Sequence, residues 1–139
     1  GIMVTEKQIQ EILREYPTLS YFGFGVFDER IRRQRGELSQ EKYNAELKEF
    51  QQQLFDNIDE INYVINWLRD VEKIKTFNKR HSSYGLKHFA EKTAPKRYIS
   101  NGSFIVGAIL SGFKVKISEP NACFNMSEKS LKQKETERN

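Results

Sequence analysis

LSQEKYNAELKEFQQQLFDNIDEINYVINWLRDVEKIKT, residues 38–76, is the stretch that decides the fold. It contains no glycine or proline, and Leu47, Phe50, Leu54, Ile58, Ile61, Ile65 and Leu68 follow one another at steps of 3, 4, 4, 3, 4 and 3. That period marks one face of an α-helix, and Val64, Val71 and Ile74 extend the stripe. Ser39 stands as the N-cap, Glu41 sits in the first turn beside the positive end of the helix dipole, and Leu38 and Tyr43 hold the two positions of a hydrophobic staple. The spacing predicts a helix of about 38 residues, about 57 Å long, with a break near Asp56 and Asn57 as the alternative. A helix of that length buries its stripe either against the helices that precede it or against a second copy of the chain. The near-heptad spacing makes a homodimer one expected outcome.

Upstream, Thr5 caps TEKQIQEILRE, in which Ile9, Ile12 and Leu13 share a face, and Pro17 stops the segment. Residues 19–36, LSYFGFGVFDERIRRQRG, carry two patterns. Phe22, Val26 and Phe27 fit a helix, while Gly23 and Gly25 weaken one and the alternation permits a strand. The reading favours a helix over residues 18–35, ended by Gly36 in a left-handed cap after Arg32, Arg33 and Arg35. Together with the next helix it forms a helical hairpin.

Downstream, FNKRHSS at 77–83 breaks the pattern, and Ser83 is placed to cap a short helix over 84–92 with Leu86, Phe89 and Ala90 inward. Ser100 or Asn101 opens a second helix, NGSFIVGAILSGF, apolar nearly all round and therefore central and buried. Phe113, Val115 and Ile117 then alternate with Lys114 and Lys116, Ser118 to Asn121 supply a turn, and Ala122, Phe124 and Met126 alternate again, which predicts a β-hairpin with its lysines outward. Ser127 and Glu128 start a last short helix, and the charged tail KQKETERN is expected to fray. The expected fold is mainly α: a helical hairpin with a long central helix, then a small α+β part of two short helices and a β-hairpin. Residues 1–76 read as an acidic helical scaffold with a possible dimerisation role and residues 77–139 as a basic part, the two free to form one domain.

The charges divide accordingly. Residues 1–72 hold nine Lys or Arg against fourteen Asp or Glu, a net of −5, and residues 73–139 hold fourteen against five, a net of +9. Between 73 and 116 there are ten basic residues and one acid, Glu91. Such asymmetry points to a polyanionic partner, DNA or RNA, because phosphates attract Lys and Arg without any sequence being read. The expected phosphate contacts are Lys79, Arg80, His81, Lys87, Lys96, Arg97, Lys114 and Lys116. Two short helices followed by a β-hairpin resemble a winged helix-turn-helix module in order alone. Residues 101–112 offer only Asn101, Ser103 and Ser111 for base reading, and the loop 93–99 is long, so no recognition helix is assigned. Tyr84 and Tyr98, interleaved with the basic residues, suit stacking on unpaired bases, with packing against the core as the plainer expectation.

Other features support different function classes. KRHSSYGLKH, residues 79–88, holds both histidines; a helix reaching back to His81 would align them with Glu91 for phosphodiester acid–base chemistry. Ser82 and Ser83 read as caps that break this face, and a third ligand for a metal is missing, so neither catalysis nor a cofactor is expected. A protein-interaction module, of adaptor, inhibitor or immunity type with an acidic partner, would use Tyr63 and Trp67. The acidic group Asp56, Asp59 and Glu60 reads most simply as a solvated helix face, and Cys123 as a small core or edge residue. Aromatic residues at 12 % argue against disorder, no apolar run approaches a membrane span, and no signal peptide is visible. A single cysteine fits a reducing compartment, so a cytoplasmic location is expected.

Overall fold

The computed structural model describes residues 3–93 and 96–137. It is mainly helical with two small sheets, a mixed α+β architecture. Helix α1, Glu6–Glu15, begins in a full capping box: Thr5 accepts from the Gln8 N–H while the Gln8 side chain accepts from the Thr5 N–H. Ile9 and Ile12 carry its buried face.

The helix expected over residues 18–35 is not formed as such. Leu19–Ser20 (β1) and Gly23–Phe24 (β2) pair as an antiparallel hairpin, and only Glu29–Gln34 (α2) is helical. The glycines decide this. Gly23 has φ of +116° and Gly25 +95°, backbone that L side chains rarely adopt, and a Cβ on Gly23 would collide with the Pro120 carbonyl oxygen. The expected cap at Gly36 is present, with φ of +66°.

The long stripe is divided between elements. Ser39 caps α3, Gln40–Asp56, by accepting from the Lys42 N–H, and the chain breaks at Asn57 before α4, Ile58–Trp67. The break is the alternative raised by the sequence; the continuation beyond Trp67 is overturned. A 3₁₀ turn, Leu68–Asp70, leads into strand β3, Lys73–Asn78, where the helical reading had extended through Val71 and Ile74. Cross-strand pairing has outweighed the weak helical pattern there, because β3 gains the antiparallel ladder of a later strand. The buried face of α4, Ile61, Val64 and Trp67, packs in the core of the chain.

Helix α5, Ser83–Glu91, is capped by Ser82, one residue earlier than expected. Ser83 instead lies buried and accepts from the Ala122 N–H, tying the helix to the sheet. Helix α6, Asn101–Leu110, capped by Ser100, is buried from Asn101 to Ala108 and lies against α4. Gly107 permits the approach, since a Cβ there would stand 2.6 Å from Val64 Cγ1. Because α6 is enclosed, it cannot enter a DNA groove, and the winged-helix order does not extend to a recognition helix.

Strands β4, Val115–Ser118, and β5, Asn121–Met126, form the expected hairpin, with Lys116 opposite Cys123 and Ile117 opposite Ala122. The sheet order is β3-β5-β4, which makes both lysine-bearing strands edges. Helix α7, Glu128–Glu137, runs through most of the tail expected to fray. Lys134 anchors it, with Nζ 2.6 Å from Asp70 Oδ1 and 4.8 Å from the centre of the Trp67 ring. One hydrophobic cluster joins Leu19, Leu54, Trp67, Phe104, Phe124 and Leu131, so both sides of residue 76 contribute to the same core. Among the described residues no helix is long and apolar enough to cross a membrane.

Candidate functional site

Helical spacing builds the first wall of the site. Tyr84, Lys87, His88 and Glu91 fall at i, i+3, i+4 and i+7 on α5 and share one face. Lys87 is 5 % exposed, and its Nζ lies 5.3 Å from the Tyr84 ring centre and 4.6 Å from that of Tyr98. Its one carboxylate, Glu91 Oε2, is 3.4 Å away and also accepts from the Ile99 N–H at 3.0 Å, while Glu91 Oε1 lies 2.8 Å from His88 Nδ1. Burial acts to raise the Glu91 pKa, but the Ile99 N–H, Lys87 and His88 together hold it below the usual carboxylate value. Burial, with the nearby charges of Glu60 and Glu91, pushes the Tyr98 phenol up.

Behind this wall, Glu60 is 4 % exposed and joins two elements: Oε2 accepts from the Tyr21 hydroxyl at 2.7 Å and Oε1 from the Ser100 N–H at 2.9 Å. The bridge locks the β1–β2 hairpin to the start of α6. It also places Asn101, whose Nδ2 donates to Asn121 Oδ1 at 2.9 Å and to the Phe22 carbonyl at 3.2 Å, while its Oδ1 has no partner among the described residues.

Between these groups, the segment from Phe22 to α2 and the turn at Glu119–Asn121 lies a cleft of about 800 Å³. Five of the eight exposed large apolar or aromatic side chains of the described residues line it: Phe22, Phe27, Ile31, Tyr84 and Tyr98. Such convergence makes the cleft the candidate binding surface, because exposed apolar residues on an ordinary surface are scattered. Tyr84 and Tyr98, for which packing inside was the plainer expectation, are 52 % and 56 % exposed.

The expected cations fall into two groups. Lys79, Arg80, Lys96, Lys114 and Lys116 are exposed, and among the described residues no carboxylate lies within 4.0 Å of them. Lys87 is buried as described, Arg97 Nη2 is held 2.7 Å from Asp59 Oδ2, and His81 Nε2 lies 2.8 Å from Glu128 Oε1. The Arg97 bond holds the Asp59 carboxyl below its usual range, and the Asn78 side-chain N–H, assisted by His81, does the same for Glu128. Sequence reasoning did not assign Lys75 on β3, also exposed and without an acid in range, because that stretch read as helix. It likewise missed Phe22, Phe27, Ile31 and Asn101, although Gly23 and Gly25 were the available signal that the helix there would fail.

Trp67 is 4 % exposed, donates from Nε1 to Thr93 Oγ1 at 3.0 Å and meets Phe89 and Phe104 edge-on, so it packs within the chain. The Tyr63 hydroxyl is shared between the Ala90 and Thr93 carbonyls, both at 3.2 Å, so Tyr63 too serves the fold. Of the acidic group, Asp56 and Asp59 are exposed as expected, Asp59 in an ion pair with Arg97, whereas Glu60 is buried. His81 precedes the Ser82 cap and each histidine faces its own carboxylate, so the pair does not converge. Among the described residues no cluster of His, Cys, Asp or Glu is arranged to hold a metal ion. The chain matches no protein-family model, no curated protein and no solved structure.

Proposed function

We propose that this chain is a non-enzymatic nucleic-acid-binding protein that holds phosphates through the basic surface of residues 73–116. The supporting observation is the set of exposed cations without carboxylate partners: Lys75, Lys79, Arg80, Lys114 and Lys116, on the two edge strands of one small sheet and the segments beside them. Lys87 and Arg97, by contrast, each have a carboxylate within 4.0 Å. Contacts of this kind position a duplex or strand without reading its sequence.

Lysines on edge strands also prevent strand-to-strand association, which is the competing explanation. Glutamate guards an edge equally well, so Lys114→Glu with Lys116→Glu separates the two roles. The expected result is a folded, monodisperse variant whose affinity for random DNA and RNA falls about tenfold or more. Unchanged affinity in the folded variant overturns the proposal. A protein-interaction module remains the second reading, favoured by the apolar cleft rather than by Tyr63 and Trp67. A stoichiometric protein partner that survives nuclease treatment and is lost on Phe27→Asp supports it.

A further inference from the structure

We propose that the cleft receives an unpaired nucleobase of a bound strand, so that single strands bind in preference to duplex. This rests on the nucleic-acid reading above and names the ligand of a site that the phosphate contacts do not require. Three features of the cleft define its occupant.

The first is the set of flat faces. Phe22, Phe27, Tyr84 and Tyr98 present exposed rings to one cavity of about 800 Å³, within the size range of small-molecule sites. The second is unfilled hydrogen-bonding capacity. Lys87 carries three N–H donors, yet its carboxylate contact is long, 3.4 Å, and shared with the Ile99 N–H, and its Nζ lies over the Tyr84 and Tyr98 rings. A nucleobase carbonyl, as in thymine, uracil or guanine, supplies Lys87 with an acceptor beyond its long contact to Glu91.

The third feature is the division of charge. Glu29 is engaged by Arg33 and the Val26 N–H, which leaves Asp28 and Glu119 to oppose Arg30 and Lys87 in the lining. A nearly neutral lining suits a base rather than a phosphate. Phosphates have their own cations along the same chain segments: Lys79 and Arg80 precede the α5 cap, Lys96 precedes Tyr98, and Lys116 lies on the strand that enters the Glu119–Asn121 turn. An aromatic peptide would fill the faces but would leave this row of cations unused. A base stacked in duplex cannot enter, and the enclosure of α6 leaves that helix no means of reading a major groove.

The test is fluorescence anisotropy of the full chain with labelled oligo(dT) of about 12 nucleotides and with the same strand annealed to oligo(dA). Wild type is expected to bind the single strand about tenfold more tightly, and Tyr84→Ala with Tyr98→Ala to bring the ratio of the two affinities close to one. Both tyrosines are more than half exposed, so the variant is expected to fold, with circular dichroism as the check. Equal affinity for the two probes in wild type, or a ratio that the variant leaves unchanged, overturns the cleft assignment while the phosphate reading stands. Absence of binding to either probe at low salt overturns both.

Discussion

Glu60→Ala is predicted to be among the most damaging polar substitutions in this chain. The carboxylate is buried, and its two oxygens take the Tyr21 hydroxyl at 2.7 Å and the Ser100 N–H at 2.9 Å. Removal leaves two donors without their acceptors, the Ser100 N–H in a buried site and the Tyr21 hydroxyl in a half-buried one. Each such donor costs about 1–3 kcal/mol, for a total of about 2–6 kcal/mol, a large fraction of the about 5–15 kcal/mol typical of a folded domain. Urea unfolding followed by circular dichroism reads this as a midpoint lower by about 1–3 M, taking a slope of about 2 kcal/mol per M. Glu60→Gln keeps an acceptor for the Ser100 N–H, and its amide can donate to the Tyr21 oxygen, so it should recover most of the loss. Asp59→Ala, one residue away, removes only a solvent-facing pair with Arg97 and should cost about 0–1 kcal/mol. Equal, small effects of Glu60→Ala and Asp59→Ala would refute the bridging role of Glu60.

Gly107→Ala is expected to lower stability by about 1–3 kcal/mol in the same assay, because its Cβ would stand 2.6 Å from Val64 Cγ1 and force α4 and α6 apart. Phe104→Ala, which empties the core between Trp67 and Phe124, should cost about 3–5 kcal/mol and abolish cooperative unfolding at moderate temperature. The carboxylates Glu46, Asp59, Glu91 and Glu128 have folded-state pKa values below their ordinary ones, so the stability they confer is full above about pH 5 and is lost as the pH falls through those lowered values. Denaturant midpoints measured from pH 7 down to 3 should therefore fall in the acid range, and Glu91→Gln should flatten part of that fall.

What was legible in the sequence was local. Thr5 and Ser39 cap the helices assigned to them, and Ser100, one of the two residues offered for α6, caps that helix, because an N-cap needs only its own hydroxyl and the N–H two or three residues on. The β4–β5 hairpin was legible for the same reason, its alternation and turn lying within a few residues. What failed depended on partners far away in the chain. Ile74 continues a helical stripe by spacing, yet its strand is determined by a ladder with residues 121–126. Phe22 and Phe27 fit a helix face, yet Gly23 turns the chain where Pro120 leaves no room for a Cβ. Lys87 looked like one more phosphate contact on a helix, and only the approach of Tyr98 from the following loop makes it a buried group in a cleft. Trp67, off the stripe, left a contact role and ordinary packing both open; Phe89, Phe104 and Lys134, all from later elements, pack around it.

The basic surface itself was legible as charge but not as pairing. Asp59 removes Arg97 from the free cations, and Glu128 removes His81, while Lys75 joins them from a strand that read as helix. With Lys75, Lys79, Arg80, Lys114 and Lys116 each meeting one phosphate, binding to duplex DNA should release counterions with a slope of about −4.5 in log affinity against log salt concentration. Fluorescence anisotropy with random DNA between about 50 and 200 mM salt measures this directly. An affinity that falls about 500-fold over that range is the predicted result. No binding at the lower salt, or binding with a slope near zero, would contradict the central claim that these unpaired cations form a phosphate-binding surface.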